Sequence, residues 1–347
     1  MNELVITAVN SITAVGHDGR LTAASVRGGI SRFTEYDEYL DRNDNPITVA
    51  QIRGINEGWD TPQRMAGIAG VCLASMLDKY FQHDGRRPSH VHLFLGVASE
   101  ERPGPRYEES CLFPLFGIIG KWADKADYQV VPRGNASLMY AIDQAGRLIG
   151  NTPGTVCIIG GVDSLLRTST LNWFEKDNRL KSGNYGRHQG LIAGEAVGFM
   201  IVEGRAGAKE AGRRILAHVA GLGVAREPVP RASGSLGRNS GLTEACHAAL
   251  NGLREKEVGA VFNDLNGENS RAREWSMAEM RCFERPDENR RLWTPANCYG
   301  DIGAASGVVM ANIATQGFVR GWLPSPVLVS CSDDHGPCGA LVLEKGQ

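Results

Sequence analysis

The chain has 347 residues, 42% of them hydrophobic, enough to fill a sizeable core in two ordinary domains or one large duplicated one. Its 37 basic and 39 acidic residues leave a net charge of −2, which argues against nucleic acid or an anionic membrane as the main partner. No window is apolar enough to span a bilayer, and the opening MNELVITAVNSITAVG has no basic stretch before its apolar run, so a cytoplasmic location is expected. In chain order, Leu4 to Val9 reads as a strand and residues 62–80 carry apolar side chains at helical spacing. His92 to Val97 is a second strand, residues 136–149 a second helix, and Val156 to Ile159 a buried strand ending in Gly160-Gly161. Residues 197–203 add a strand, and the Gly-rich stretch 204–212 reads as a connection. Beyond it the rhythm repeats, with strands near 215–225, 258–265, 326–332 and 339–344 and helices near 241–254 and 303–316. The expectation is an α/β protein of two similar halves, 1–205 and 206–347, although the sequence repeat itself is too weak to see.

The eight cysteines are scattered, and Cys72 and Cys157 lie in apolar runs, so reduced, mostly buried thiols are expected rather than a disulfide framework. There is no phosphate-binding loop ending in Lys-Ser/Thr, no dinucleotide fingerprint after a strand, and no paired CxxC or HExxH, so no cofactor and no metal are expected. Asn135-Ala-Ser137 is formally a glycosylation sequon, without a secretory signal to give it meaning.

Five stretches, in order along nearly the whole chain, resemble the β-ketoacyl synthases of the thiolase superfamily. LVITAVNSITAVGHD is similar to their opening strand and turn, AASVRGGISRFTEYD to the helix and region that follow, and IIGGVDSL to their "AGG-D" strand end. GLIAGEAVGFMIVE, residues 190–203, resembles "GFVxGEGAGxLVLE", and YGDIGAASG resembles the glycine-rich turn after the second catalytic histidine. The chain is shorter than a typical synthase. The resemblance implies the thiolase fold, a five-layer αβαβα core.

It also marks what is missing. Asn135, in VPRGNAS, stands where active synthases carry the cysteine that takes the acyl chain at a helix N-terminus. NGENSRARE, residues 266–274, stands where the family has "HGTxTxxxD": Asn266 replaces the first histidine, while Ser270 and Glu274 are conservative. TPANCYGD, residues 294–301, puts Pro295 at the lysine and Gly300 at the second histidine. The last motif, "NxFGFGGxN", is eroded to SCSDDHGPC, residues 330–338, without its gating phenylalanines. Condensation needs a nucleophile and donors that stabilise the developing enolate. An amide is no such nucleophile, and Pro295 and Gly300 bring no side-chain donor.

Plainer roles are expected for the remaining candidates. Asn135 reads better as a helix cap than as a polar mimic holding a substrate carbonyl. Cys331, His335 and Cys338, with Asp333 and Asp334 between them, make a surface loop rather than a metal site. Cys298 is a displaced nucleophile only if a base reaches it, and none is near in sequence. His188 is expected to pack or hydrogen-bond, and Glu195, matching a family glutamate, to satisfy buried backbone or loop groups. Residues 271–293 mix arginine, glutamate and Trp275 and Trp293: by default a solvated helix and loop, but of residue types that anchor interfaces. Residues 101–122, with Phe113 and Phe116, are the first choice for a contact region.

The resemblance extends to chain-length-factor subunits, which pair with an active ketosynthase, and to degenerate thiolase-like proteins encoded near type VI secretion cargo. The reading favoured is a pseudoenzyme: a non-catalytic scaffold binding another protein as an adaptor or chaperone, with a secretion effector or spike component as partner. The alternatives are a chain-length-factor-like subunit in polyketide or fatty-acid-type synthesis, and an acyltransferase or hydrolase with relocated residues such as Cys298 or His335. A homodimer is compatible with each.

Overall fold

Runs of β-branched and apolar residues bounded by Gly, Pro and Asn become strands, and the stretches of helical spacing become helices. The first half contains β1 (Leu4–Thr13), α1 (Gly19–Arg27), β2 (Thr34–Leu40), β3 (Pro46–Ala50), α2 (Thr61–Phe81), β4 (His90–Val97), α3 (Glu108–Ile119), β5 (Lys125–Pro132), α4 (Ser137–Asn151), β6 (Val156–Ser164), α5 (Thr168–Lys176) and β7 (Ala193–Gly204). A short helix, α6 (Arg205–Glu210), occupies the expected connection. The second half contains β8 (Ala217–Arg226), α7 (Gly241–Leu250), β9 (Ala260–Asn263), α8 (Asn269–Cys282), β10 (Arg291–Trp293), α9 (Ala296–Tyr299), α10 (Ser306–Val319), β11 (Val327–Ser332) and β12 (Pro337–Lys345). This computed structural model describes residues 3–55, 61–81, 88, 90–152, 154–183, 187–235, 237–253, 258–283 and 290–346.

Strand order reveals the duplication that the residues conceal. The first sheet runs β5-β4-β6-β7-β1 and the second β10-β9-β11-β12-β8. With the β2–β3 hairpin set aside, both halves read third, second, fourth, fifth, first. Their polarity matches too: β4 is parallel to β5 and β6, and β7 antiparallel to β6 and β1. Likewise β9 is parallel to β10 and β11, and β12 antiparallel to β11 and β8. The first strands of the two halves meet where Val5 pairs with His218 and Ile6 with Ala217.

Helices α4 and α10 lie between the sheets. One buried cluster joins Met139 and Ile142 of α4 and Val308 and Ile313 of α10 to Phe94 and Met200 of the first sheet and Phe262 and Leu341 of the second. Helix α10 is apolar or small almost all round, and every residue from Ser306 to Phe318 except Gln316 is buried, as its central layer requires. Helices α2 and α3 cover the outer face of the first sheet, and α7 and α8 that of the second. The result is the five-layer αβαβα core expected. Among the described residues no helix is long and apolar enough to cross a membrane.

Candidate functional site

Each central helix starts from a tight 3-10 turn: Gly134–Ala136 ahead of α4 and Gly303–Ala305 ahead of α10. Gly134 and Gly303 both have φ of 51°, a left-handed backbone that suits glycine. The two turns interlock across the halves. A Cβ on Gly134 would lie 1.7 Å from Asp333 Oδ2, and one on Gly303 would lie 2.0 Å from Asp163 Oδ2. Asn135 sits inside the first turn. It does not cap α4, whose N-cap is Ala136 and which has no side-chain cap, so the expected capping role is corrected.

Its amide crosses to the other half instead. Asn135 Nδ2 donates to Asp301 Oδ1 and to Ser306 Oγ, both at 3.4 Å, while Asn266 Nδ2 donates to Asp301 Oδ2 at 2.8 Å and to Glu268 Oε2 at 2.9 Å. Gly303 N–H donates to Asp301 Oδ1 at 2.9 Å. The positions matched to the family's cysteine and first histidine are thus tied to one carboxylate. Pro295 opens α9, its carbonyl accepting from Cys298 N–H at 2.8 Å, and Gly300 closes it. Gly300 has φ of 74° and ψ of −172°, and a Cβ there would meet Ile192 O at 2.6 Å. This backbone accepts glycine and excludes a histidine side chain.

Around Asp301 the space is filled by arginines and carboxylates. Arg271 Nη1 donates to Asp264 Oδ2 at 2.8 Å and to Ser332 O at 2.7 Å, and its guanidinium lies 3.7 Å from Glu268, Asp301 and Asp334. Arg179 forks onto Glu268 at 2.6 and 3.0 Å and reaches Asp334 at 2.8 Å, while Arg231 bonds Asp334 at 3.0 Å and also holds Glu274 and Ser332. On the opposite side Arg102 forks onto Asp163 at 2.8 and 2.6 Å. Burial acts to raise the Asp334 pKa, but Arg179, Arg231 and Arg271 overcome it and hold the carboxyl well below its usual range. At Asp264 burial prevails over Arg271 and Arg231, and the pKa is pushed up to about 6. Two small cavities remain among these groups, each of about 10 Å³. Asn135, Arg271, Asp301 and His335 line one, and Asp264, Gly300, Asp301 and Ser306 the other. Each takes a water molecule at most. Neither takes an acyl chain.

Several expectations are revised here. The segment 331–338 is a buried hairpin, not a surface loop: Cys331, Cys338, Asp333 and Asp334 are all buried, and it is the end of β11, the start of β12 and the turn between them. Helix α8 is not solvated all round. Arg271 and Glu274 are buried because their charges are paired inside, Trp275 is 3% exposed among α7 and the second sheet, and Trp293 is 7% exposed beside Phe262. Neither tryptophan is available to a partner; residues 284–289 of that stretch lie outside the described residues. Phe113 is 88% exposed, whereas Phe116 is half-buried and packs edge-on against Tyr128 of β5. His188 and Ser270 are exposed. Glu195 accepts from the Ile52 N–H at 2.8 Å, from Ser164 Oγ at 3.0 Å and from both Arg64 amino groups.

The relocated candidates fare no better as nucleophiles. Burial raises the pKa of Cys298 and keeps its sulfur a thiol. His335 meets a serine that sequence reading missed: Ser99, just past β4, has Oγ 3.0 Å from His335 Nδ1 and donates to Asp333 Oδ1 at 2.9 Å. Asp333 faces that same Nδ1 at 3.3 Å. In a working Ser-His-Asp relay the acid and the serine hold opposite ring nitrogens. Here both crowd one nitrogen, and the Ser99 proton points to the carboxylate. Only the fold brings Ser99 and His335 together, 236 residues apart, so no spacing signal announced the contact.

No protein-family profile and no curated protein sequence matches the chain. Solved structures do. The ishigamide ketosynthase/chain length factor superposes with a TM-score of 0.79 at 15% identity, covering 99% of both chains. The chain has the ketosynthase fold. A β-ketoacyl synthase from Burkholderia phymatum gives a TM-score of 0.75 at 15% identity over 100% of both chains. A type II PKS ketosynthase, solved in complex with its acyl-carrier protein and bound to the hexaketide, gives 0.79 at 12% identity over 99% of both. At such identities the likeness fixes the ketosynthase-like thiolase fold, and the chemistry has to be read from the residues.

Proposed function

We propose that this chain does not carry out the ketosynthase reaction and works by binding another protein. The observation that carries the reading is the closed centre: Asn135 and Asn266 converge on Asp301, the backbone at Gly300 has no room for a side chain, and the cavities beside them measure about 10 Å³. Condensation needs a reactive sulfur and an open channel, and this centre offers neither.

The favoured form of this reading is an adaptor or chaperone, with a secretion effector or spike component as its partner. A chain-length-factor-like subunit is the second reading, supported by the likeness over 99% of both chains to the ishigamide ketosynthase/chain length factor. Exposed Phe113 on α3, beside the edge strand β5, supports that region as the contact face in either case. The test is an affinity pull-down of the tagged chain from its native cells with mass spectrometry of what stays bound. An effector or spike protein recovered in stoichiometric amount establishes the adaptor, and a synthase with an intact Cys-His-His set establishes the subunit. A partner-free chain carrying an acyl adduct in its intact mass overturns both.

A further inference from the structure

The other end of the first sheet holds a cluster of different chemistry. His90 and His92 alternate onto one face of β4 together with Phe94, and Asp127 of β5 stands directly opposite His92 in the parallel register. One ring nitrogen of each histidine and one oxygen of Asp127 all lie within 4.8 Å of one another. His90 Nε2 is already 2.8 Å from Asp127 Oδ2. The His92 ring is fixed by packing on Phe94, with centroids 4.4 Å apart, and His90 stands edge-on to it at 6.4 Å. The His90 side chain is 27% exposed and that of Asp127 70%, so an ion has a path from solvent.

His92 is unlike a histidine placed only to pack. Its Nε2 is buried, and no hydrogen-bond partner reaches it among the described residues. A buried imidazole nitrogen left without a partner is costly and calls for an explanation. The three groups lie at the start of β4 and β5, whereas the filled centre lies past the ends of the same strands, at Ser99 and Gly134.

We propose that His90, His92 and Asp127 form a binding site for a divalent transition-metal ion, zinc foremost. Two imidazoles and one carboxylate suit zinc and its neighbours, whereas calcium and magnesium take all-oxygen sets. Three protein ligands leave a fourth, water-filled position. Ligands of a tetrahedral zinc ion stand about 3.3 Å apart, given bonds of about 2.0–2.1 Å, so small rotations of the exposed His90 and Asp127 side chains close the site. The bound ion ties the edge strand β5 to β4.

The test is calorimetric titration of the chelator-treated full chain with zinc chloride, alongside melting curves with and without zinc. The expected result is one zinc ion per chain, with a higher melting temperature in its presence. His92→Ala loses that rise and weakens binding by at least roughly tenfold. His90→Ala, at the exposed start of the strand, does the same and keeps the test decisive if His92→Ala folds poorly. Cobalt(II) supplies a second readout: weak visible bands without the intense thiolate charge-transfer absorption. Absence of zinc uptake at micromolar concentration, uptake unchanged in both variants, or a thiolate band from one of the cysteines each overturns the proposal.

Discussion

The turns that start α4 and α10 share a backbone but not an electrostatic setting. Gly134 presses on Asp333 and Gly303 on Asp163, with the same φ of 51°. Among the described residues Asp163 has one cation, Arg102, and one backbone donor, Ala304 N–H at 2.7 Å. Among the described residues no arginine forms an ion pair with Asp333: it takes Ser99 Oγ and the His335 N–H, both at 2.9 Å, lies in the field of Arg102, and borders the Arg179–Arg231–Arg271 cluster through Asp334. One half therefore closes its turn with a single ion pair, the other with a shared network. A shared network redistributes charge when one member is lost, and a lone pair cannot.

The sharpest way to break the comparison is to remove an arginine from each side. Breaking a buried pair costs about 3–5 kcal/mol, and Arg102→Met is expected at the upper end because no other cation pairs with Asp163 among the described residues. Arg271→Met is expected at the lower end, about 3 kcal/mol, since Asp264 readily takes up a proton and Arg179 and Arg231 still hold Asp334. Urea unfolding of the two variants at one pH decides it. Equal losses would show that the network does not share its charge.

Next in size are the two glycines. Gly134→Ala and Gly303→Ala each force a left-handed alanine against a carboxylate, with an expected cost of about 2–3 kcal/mol. Gly303→Ala is expected to cost the more, because Arg102 forks onto Asp163 and locks it, whereas Asp333 is held by hydrogen bonds to Ser99 and His335 and can shift. Melting temperatures measured side by side test the ranking.

Acid titration sharpens the comparison further. The folded-state pKa of Asp264, about 6, is raised above its ordinary value of about 3.9, so its stabilising contribution is complete below that value and is lost as pH rises through about 6. Asp333 and Asp334 are shifted the other way, so theirs is present above the ordinary value and lost as pH falls through the depressed ones. Asp264→Asn removes only the first term. The wild type should therefore lose stability relative to this variant between about pH 4 and 6. A parallel pair of stability curves across that window refutes the assignment.

How much of this was legible in the residues differs between backbone and site. Residues 62–80, 136–149 and 303–316 announce their helices because long apolar periodicity survives any tertiary context, and the structure places helices at Thr61–Phe81, Ser137–Asn151 and Ser306–Val319. The pairing of charges was not legible. Arg271, Glu274 and Trp275 look solvated in RAREW because composition cannot show that Arg271 finds Ser332 across 61 residues or that Glu274 finds Arg231 across 43. The same holds for His90 and Asp127, 37 residues apart on neighbouring strands. That Asn135, Asn266, Pro295 and Gly300 differ from the resembled motifs is plain in the residues, but that the backbone at Gly300 has no room for a side chain is visible only in the fold.

The smallest expected effect asks whether the centre is truly closed. Asn135→Cys places a cysteine where the resemblance puts the synthases' nucleophile, and stability should change by less than about 1 kcal/mol, because the two bonds lost are long and Asp301 keeps Asn266 at 2.8 Å and Gly303 N–H at 2.9 Å. The new thiol would be buried and face the Asp301 carboxylate, two influences that raise a thiol pKa. A helix N-terminus acts in the opposite direction, but His335, which lines the same small cavity, is already engaged by Ser99 and Asp333. Iodoacetamide at pH 8 should therefore label this variant no faster than the wild type with its eight buried cysteines, and acyl thioesters should leave its mass unchanged. Rapid labelling would mean that the Asn135–Asp301–Asn266 link opens in solution, and the centre would then have to be read as gated rather than filled.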